Sequence, residues 1–351
     1  MHRWALAALL LIVGIPAHAG RGRWTSAGPP GIVYRVVSDP VRSGVVYASV
    51  GLPESLYRSL DGGRSWSPVD SPWPYSFAVD PVNPDVLYAG GLSISRSENA
   101  GETWSPIVPD LTANYVSAIV VGPGDPDVLS VETRTLDSGP FGMGAYRFAK
   151  VERSPGGAFS WSVPDPAFTT AVTELIADAS SPGTLLASGR GGVYRTTDSG
   201  ETWATLPAGI PGDTWVAGVA ISREPTARIY APIGATTVPL HGVAVSSDGG
   251  GIWEIETAGL PAAPLLSVAA DPRHPEIAYV GSIDAGIFRT IDGGKTWRPF
   301  DAGLSSLTVY SIAFDAAGNR IYAGTADGVF AIDPLGVVPT PGVEPAIIRR
   351  R

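Results

Sequence analysis

A tryptophan closes the same eight-residue phrase again and again along this 351-residue chain, and that recurrence restricts the fold more than any other feature. The clearest copies run from Ser59 to Trp66, Thr196 to Trp203, Ser246 to Trp253 and Thr290 to Trp297, in the pattern S/T-x-D-x-G-x-x-W. Asp61, Asp198, Asp248 and Asp292 hold the acidic place; weaker copies close on Trp104, with Asn99 there, and on Trp161, with no acid there. A short carboxylate two residues before a glycine accepts backbone N–H groups inside a tight turn, and the glycine permits the positive φ such a turn demands. The phrase therefore predicts a stapled hairpin, with each tryptophan opening the outgoing strand and its ring covering a seam between sheets.

Around each phrase a longer unit recurs, and periods of roughly 40 to 50 residues belong to propellers and solenoids. An apolar run ends in a turn, as in Val36 to Pro40, Phe77 to Pro81, Val268 to Pro272 and Ile312 to Asp315. A second run follows at Val45 to Ala48, Val86 to Gly90, Ile277 to Gly281 and Ile321 to Gly324. A third enters the phrase at Ser55 to Arg58, Gly192 to Arg195 and Gly286 to Arg289, and the fourth starts at the tryptophan. Four short strands separated by Gly, Pro, Asn and Asp make one propeller blade, and the count along the chain is seven. The last unit stops after Ile332 without a fourth strand, while Arg21 to Ser26 precedes the first unit and carries Trp24 in the matching register. The expectation is an all-β, seven-bladed β-propeller whose N-terminal strand completes the last blade and removes the open sheet edge.

The repeated phrase resembles the Asp-box, or BNR, family of propellers. That resemblance implies structural roles for Asp61, Asp198, Asp248, Asp292, Trp66, Trp104, Trp203, Trp253 and Trp297. Residues 1–19 read as a signal peptide: cationic Met1 to Arg3, apolar Trp4 to Ile15, and a small-x-small site at Ala17 to Ala19 before Gly20. Residues 20–335 make the propeller, and 336–351 a disordered tail rich in Pro and Arg. The mature chain is then secreted or periplasmic, without a membrane span, and monomeric.

Charge and composition narrow the partners. The net charge is −9, and Lys150 and Lys295 are the only lysines, which argues against nucleic acid. Zero cysteine excludes disulfides, thiolate metal sites and a thiol nucleophile. No cofactor or metal is expected.

In an up-and-down blade, the first and third turns share one face, here occupied by the Asp-Pro and tryptophan-phrase turns. Longer insertions fall on the other, at Glu132 to Ala145 and Ala231 to Gly242, where long loops on a rigid scaffold usually carry function. Five residues before the turn aspartate stand Tyr34, Tyr75 and Tyr310, in blades adjacent once the ring closes. Trp73, Tyr115 and Trp215 lie near the same mouth. Aromatic rings around a concave mouth suit sugar faces or peptide side chains.

Asp-box propellers are similar to two sets of glycosidases. A sialidase implies three arginines and an early (F/Y)-R-I-P motif, of which Tyr34-Arg35-Val36-Val37 keeps only half. Xyloglucan-cleaving hydrolases imply acid and base aspartates across a cleft between two propellers, and their R-T-D-V-G-G-A-Y-R element aligns with Ser49 to Arg58, where the aspartate is missing. Glu54, Glu132, Asp137, Asp284 and Asp327 are the carboxyl groups on the insertion face. The repeat is also similar to photosystem-assembly propellers, which bind membrane proteins without catalysis. The resulting expectation is a non-catalytic binding or scaffold module for a glycan or extracytoplasmic protein, with a glycoside hydrolase as the alternative and a membrane-protein assembly factor as the second.

Overall fold

A computed structural model describes residues 22–334, apart from 52–54, 73–75, 109–113, 123–127, 136–145, 155, 166–169, 208, 211–213, 223–226 and 235–240. The expected leader and tail therefore lie outside the described residues.

Seven antiparallel sheets form, six with their strands in chain order and one completed by the N-terminal strand. The first strands, Val33–Ser38, Ser76–Val79, Asn114–Val121, Val172–Ala177, Leu265–Ala270 and Val309–Phe314, face one another around a central channel. Blade 5 contributes a broken first strand, Trp215–Val216 and Ala220–Ile221, both paired to Ile229–Gly234. The ring closes as the sequence predicts: Thr25–Ser26 pairs with Gly328–Ile332 as the fourth strand of blade 7. Trp24 is buried there, and its indole N–H donates to Phe300 O at 2.6 Å.

Alternating apolar residues make both faces of each blade sticky, so the hydrophobic core divides into seven clusters, one at each seam between blades. The tyrosines of the second strands, Tyr47, Tyr88, Tyr230, Tyr279 and Tyr322, are among the largest side chains wholly buried in them. Each such side chain contributes about 1.5–3 kcal/mol relative to exposure.

The tryptophan-phrase turns repeat one hydrogen-bond array. Asp61 Oδ1 accepts the N–H groups of Arg64 and Ser65, Asp61 Oδ2 accepts Ser65 Oγ at 2.6 Å, and Ser59 Oγ accepts Gly63 N–H at 2.8 Å. Gly63 sits at φ 86°, as this turn requires. Asp198 and Asp292 repeat the arrangement, Asp248 keeps the Oδ1 contacts to Gly251 and Ile252 without the hydroxyl that Ser65 supplies, and Asn99 keeps its Thr103 contact in blade 2. At Asp198, burial is the largest single influence and pushes the carboxyl up, but the hydrogen bonds from Thr196, Thr202 and the turn backbone together outweigh it and hold the pKa at about 2. Arginines then tie one blade's turn to the next: Arg58 donates to Ala100 O, Arg195 to Gly249 O, Arg228 to Gly293 O and Arg320 to Gly62 O, the last across the closure.

Two expectations about the opposite face need correction. Residues 132–135 and 231–234 are not loop but strand, within Val128–Thr135 and Ile229–Gly234, and His241 and Gly242 begin the next strand. Their backbones pair in ladders, as at Glu132 with Phe148 and Ala231 with Ala244, which satisfies groups that a loop would leave to water. What remains of each insertion, 136–145 and 235–240, lies outside the described residues.

Candidate functional site

The channel mouth is built by a defect that recurs in the first strands. Pairing slips by one residue between Val33 and Arg35, Val116 and Ala118, Val172 and Glu174, Leu265 and Ser267, and Val309 and Ser311. Such bulges leave one residue unpaired and re-aim its side chain. The residues so placed are Tyr34, Ser117, Thr173, Leu266 and Tyr310. Tyr34 and Tyr310, from blades 1 and 7, meet with ring centroids 5.3 Å apart at 55°.

Both rings line a channel cavity of about 400 Å³, together with Arg35, Thr173, Glu174 and Ser267. The residue after each bulge reaches toward the next blade where its chemistry allows. Ser311 Oγ accepts Val36 N–H at 3.0 Å, and Glu174 Oε2 accepts Val219 N–H at 3.0 Å. Close protein surroundings raise the Glu174 pKa, against the opposing pull of the Arg35 charge and of the Val219 N–H. Arg35 and Glu174 form no ion pair within 4.0 Å, so the two charged groups share one lumen without touching.

Glu132 does not stand on the insertion face as the sequence reading placed it. It is 1% exposed within its strand, at the seam of blades 3 and 4, where it accepts Val172 N–H at 3.1 Å and bonds Ser117 Oγ. Burial pushes its pKa up to about 8, only partly offset by the Val172 N–H and the Arg134 charge. A carboxyl closed off in this way staples two blades and cannot reach a polysaccharide.

Asp284 and Asp327 are exposed on the insertion face, in the turns between second and third strands of blades 6 and 7. Asp284 Oδ1 accepts Thr308 Oγ1–H at 2.6 Å, and Asp327 accepts the Ser305 hydroxyl. One short link between blades therefore fixes both carboxylates. Asp284 also sits at φ 57°, a left-handed conformation that aspartate tolerates better than most residues.

Trp215 is half-buried and paired to Gly234, and Tyr115 is half-buried in the blade 3 first strand. Neither lines the cavity. Tyr75, Trp73, Asp137 and Glu54 lie outside the described residues. Sequence reasoning passed over Glu174 and treated Arg35 only as part of a motif. A signal was available: four residues before the turn residue the other blades carry Ser76, Ala118, Gly218, Ser267 and Ser311, all small, so two charged side chains there break the repeat. Among the described residues, no group of three or more His, Cys, Asp or Glu is placed to hold a metal ion, and no helix is long and apolar enough to cross a membrane.

No protein-family model matches the chain. In sequence it is 26% identical to the xyloglucanase Xgh74A of Acetivibrio thermocellus, over 77% of this chain and 38% of that protein. It is 25% identical to a xyloglucanase of Hypocrea jecorina, over 86% of this chain and 36% of that one. The chain thus spans well under half the length of these relatives. Among solved structures, the GH74 xyloglucanase of Xanthomonas campestris superposes with a TM-score of 0.65 at 19% identity, over 91% of this chain and 54% of that one. YCF48 of Cyanidioschyzon merolae superposes with a TM-score of 0.63 at 15% identity, over 89% and 99% respectively. Likeness at these identities concerns the fold. The sequence relatives correct the expectation of a non-catalytic module: they are xyloglucanases, and they favour the hydrolase alternative. That expectation leaned on motif residues not found, the half-kept sialidase motif at Tyr34 to Val37 and the aspartate missing between Ser49 and Arg58, and on a single propeller where two are implied, rather than on similarity over most of the chain.

Proposed function

We propose that this propeller belongs to a glycoside hydrolase acting on a β-glucan of the xyloglucan kind, with the insertion face turned toward the polysaccharide. The observation that carries the reading is similarity to named xyloglucanases over as much as 86% of the chain rather than over one motif. The geometry supports it at Asp284 and Asp327. Both are exposed, and both are fixed by hydroxyls between Ser305 and Thr308. Three residue steps span at most about 11 Å, compatible with the ~6.5–9.5 Å separation at which two carboxyl groups serve an inverting hydrolysis. In that scheme one carboxyl protonates the leaving oxygen while the other removes a proton from the attacking water. The export leader expected at residues 1–19 fits an extracellular polymer as substrate.

The test is release of reducing ends from xyloglucan and from mixed β-glucans by the wild-type chain, Asp284→Asn and Asp327→Asn. A carboxyl that transfers the proton should lose at least about 100-fold in kcat on neutralisation, with little change in melting temperature. An active wild type with both variants unimpaired moves catalysis away from this pair. A wild type that never cleaves any β-glucan ends the hydrolase reading.

A further inference from the structure

The channel holds more binding chemistry than a plugged propeller axis requires. Its cavity of about 400 Å³ falls within the ~300–1,000 Å³ typical of small-molecule sites. Among the described residues, the Arg35 guanidinium has no hydrogen-bond or ion-pair partner, and Ser267 Oγ is buried without one. Glu174, which lines the cavity, commits Oε2 to Val219 N–H, and Oε1 has no hydrogen-bond partner among the described residues. The hydroxyls of Tyr34 and Tyr310 are also uncommitted, while their rings form one tilted aromatic wall.

Each group narrows the ligand. A half-buried guanidinium without a partner is complementary to a planar anion held through two N–H groups, and a carboxylate meets that geometry. Arg35 and Glu174 line the same cavity without an ion pair within 4.0 Å, so neither is neutralised by direct contact with the other. Glu174 and the two tyrosine hydroxyls call for hydroxyl groups on the ligand rather than an apolar body. A pair of tyrosine rings suits the C–H face of a pyranose.

We propose that the channel binds a uronic acid, a sugar ring bearing one carboxylate. Arg35 takes the carboxylate, Glu174 takes a ring hydroxyl, and the Tyr34 and Tyr310 rings lie against the sugar face. Free uronate and a uronate at the end of a glycan present the same chemistry to these groups. The inference is independent of the hydrolase reading, because a neutral glucan leaves Arg35 unmatched and the test below measures binding, not turnover.

Titration calorimetry of the full chain is carried out with D-glucuronate, D-glucose, acetate and an oligosaccharide ending in glucuronate. Glucuronate should bind at least about tenfold more tightly than either glucose or acetate, a difference of ~1.4 kcal/mol. Arg35→Gln should remove that preference, and Tyr310→Ala should weaken glucuronate and glucose alike. Tighter binding of the oligosaccharide than of free glucuronate identifies a glycan end as the ligand; equal or weaker binding identifies the free acid. Equal affinity for glucuronate and glucose overturns the role of Arg35, and equal affinity for acetate overturns the role of the sugar ring. No binding by glucuronate or the oligosaccharide overturns the proposal, as does an Arg35→Gln variant that keeps the preference. Should Arg35→Gln fail to fold, the wild-type comparison of glucuronate, glucose and acetate decides the matter alone.

Discussion

The two faces of this propeller treat their charged groups in opposite ways. On the face of the tryptophan-phrase turns, each aspartate is saturated: Asp61, Asp198, Asp248 and Asp292 accept backbone and hydroxyl donors of their own turn, and each carboxyl is held below its ordinary pKa. In the channel and at the seam beside it, Glu132 and Glu174 have raised pKa values, and Arg35 has no hydrogen-bond or ion-pair partner among the described residues. The first arrangement makes charge part of the scaffold. The second places ionisable groups where burial disfavours their charged forms, and such perturbed groups point to function or to a sealed structural contact. Glu132 and Glu174 separate those two outcomes. Glu132 is closed from solvent by Val172 and Ser117, while Glu174 faces the cavity.

The contrast breaks most visibly at the ring closure. Trp24→Ala removes a buried ring and its bond to Phe300 O, and should cost about 4 kcal/mol in chemical denaturation. A cost below about 1 kcal/mol would mean that the N-terminal strand is not needed to hold blade 7. Next, Asp292→Ala should cost about 2 kcal/mol, because Thr296 N–H and two hydroxyls lose a charged acceptor. Asp292→Asn should cost less than half of that, since Asn99 fills the same role in blade 2. Equal losses from Ala and Asn would assign the stability to charge rather than to the hydrogen-bond array. The phrase turns also set an acid limit: with Asp198 at about 2 when folded against an ordinary 3.8, its contribution is complete above that ordinary value and fades as pH falls toward 2.

Glu132→Gln should work in the other direction. The folded pKa of about 8 lies above the ordinary 4.5, so stability from this group is full below pH 4.5 and is lost as pH rises through 8. Glutamine keeps an acceptor for Val172 N–H without the charge. Melting curves should show no gain at pH 4 and a stabilisation on the order of 1 kcal/mol near pH 9. A loss at both pH values would mean that the carboxyl is ionised and favourably paired. The smallest effect is expected at Arg35→Gln, within about 0.5 kcal/mol of wild type in stability, since no protein group depends on that side chain. A larger loss would make Arg35 part of the scaffold.

Repetition made most of the fold legible. Each phrase specifies its own turn through residues no more than four apart, as Asp61 with Arg64 and Ser65 shows, so its geometry is local and readable. Trp24 could be assigned to blade 7 because it repeats the register of the other tryptophans. The candidate site was less legible for the same reason. Tyr34 and Tyr310 were singled out by their matching places before the turn aspartates, but their contact depends on bulges and on blades 1 and 7 meeting, which involves residues 276 positions apart. Glu132 was misplaced because a long strand and a long loop look alike where a hairpin lengthens. Glu174 was missed because attention followed the repeat rather than the positions that depart from it.

The sequence by itself determined the seven blades, their four-strand order, the closure by Thr25 and Ser26, and the turns that Asp and Gly build locally. The strands and turns follow from short-range hydrogen bonding and period-2 apolar patterning, which each repeat carries, while the count and the closure follow from the number of copies and from the unmatched strand after Trp24. Only the tertiary structure decided which carboxyl is sealed at a seam, which faces the channel, and which lie together on one link. Those outcomes depend on the distance and burial created when separate blades pack around a common axis, and no single repeat encodes either.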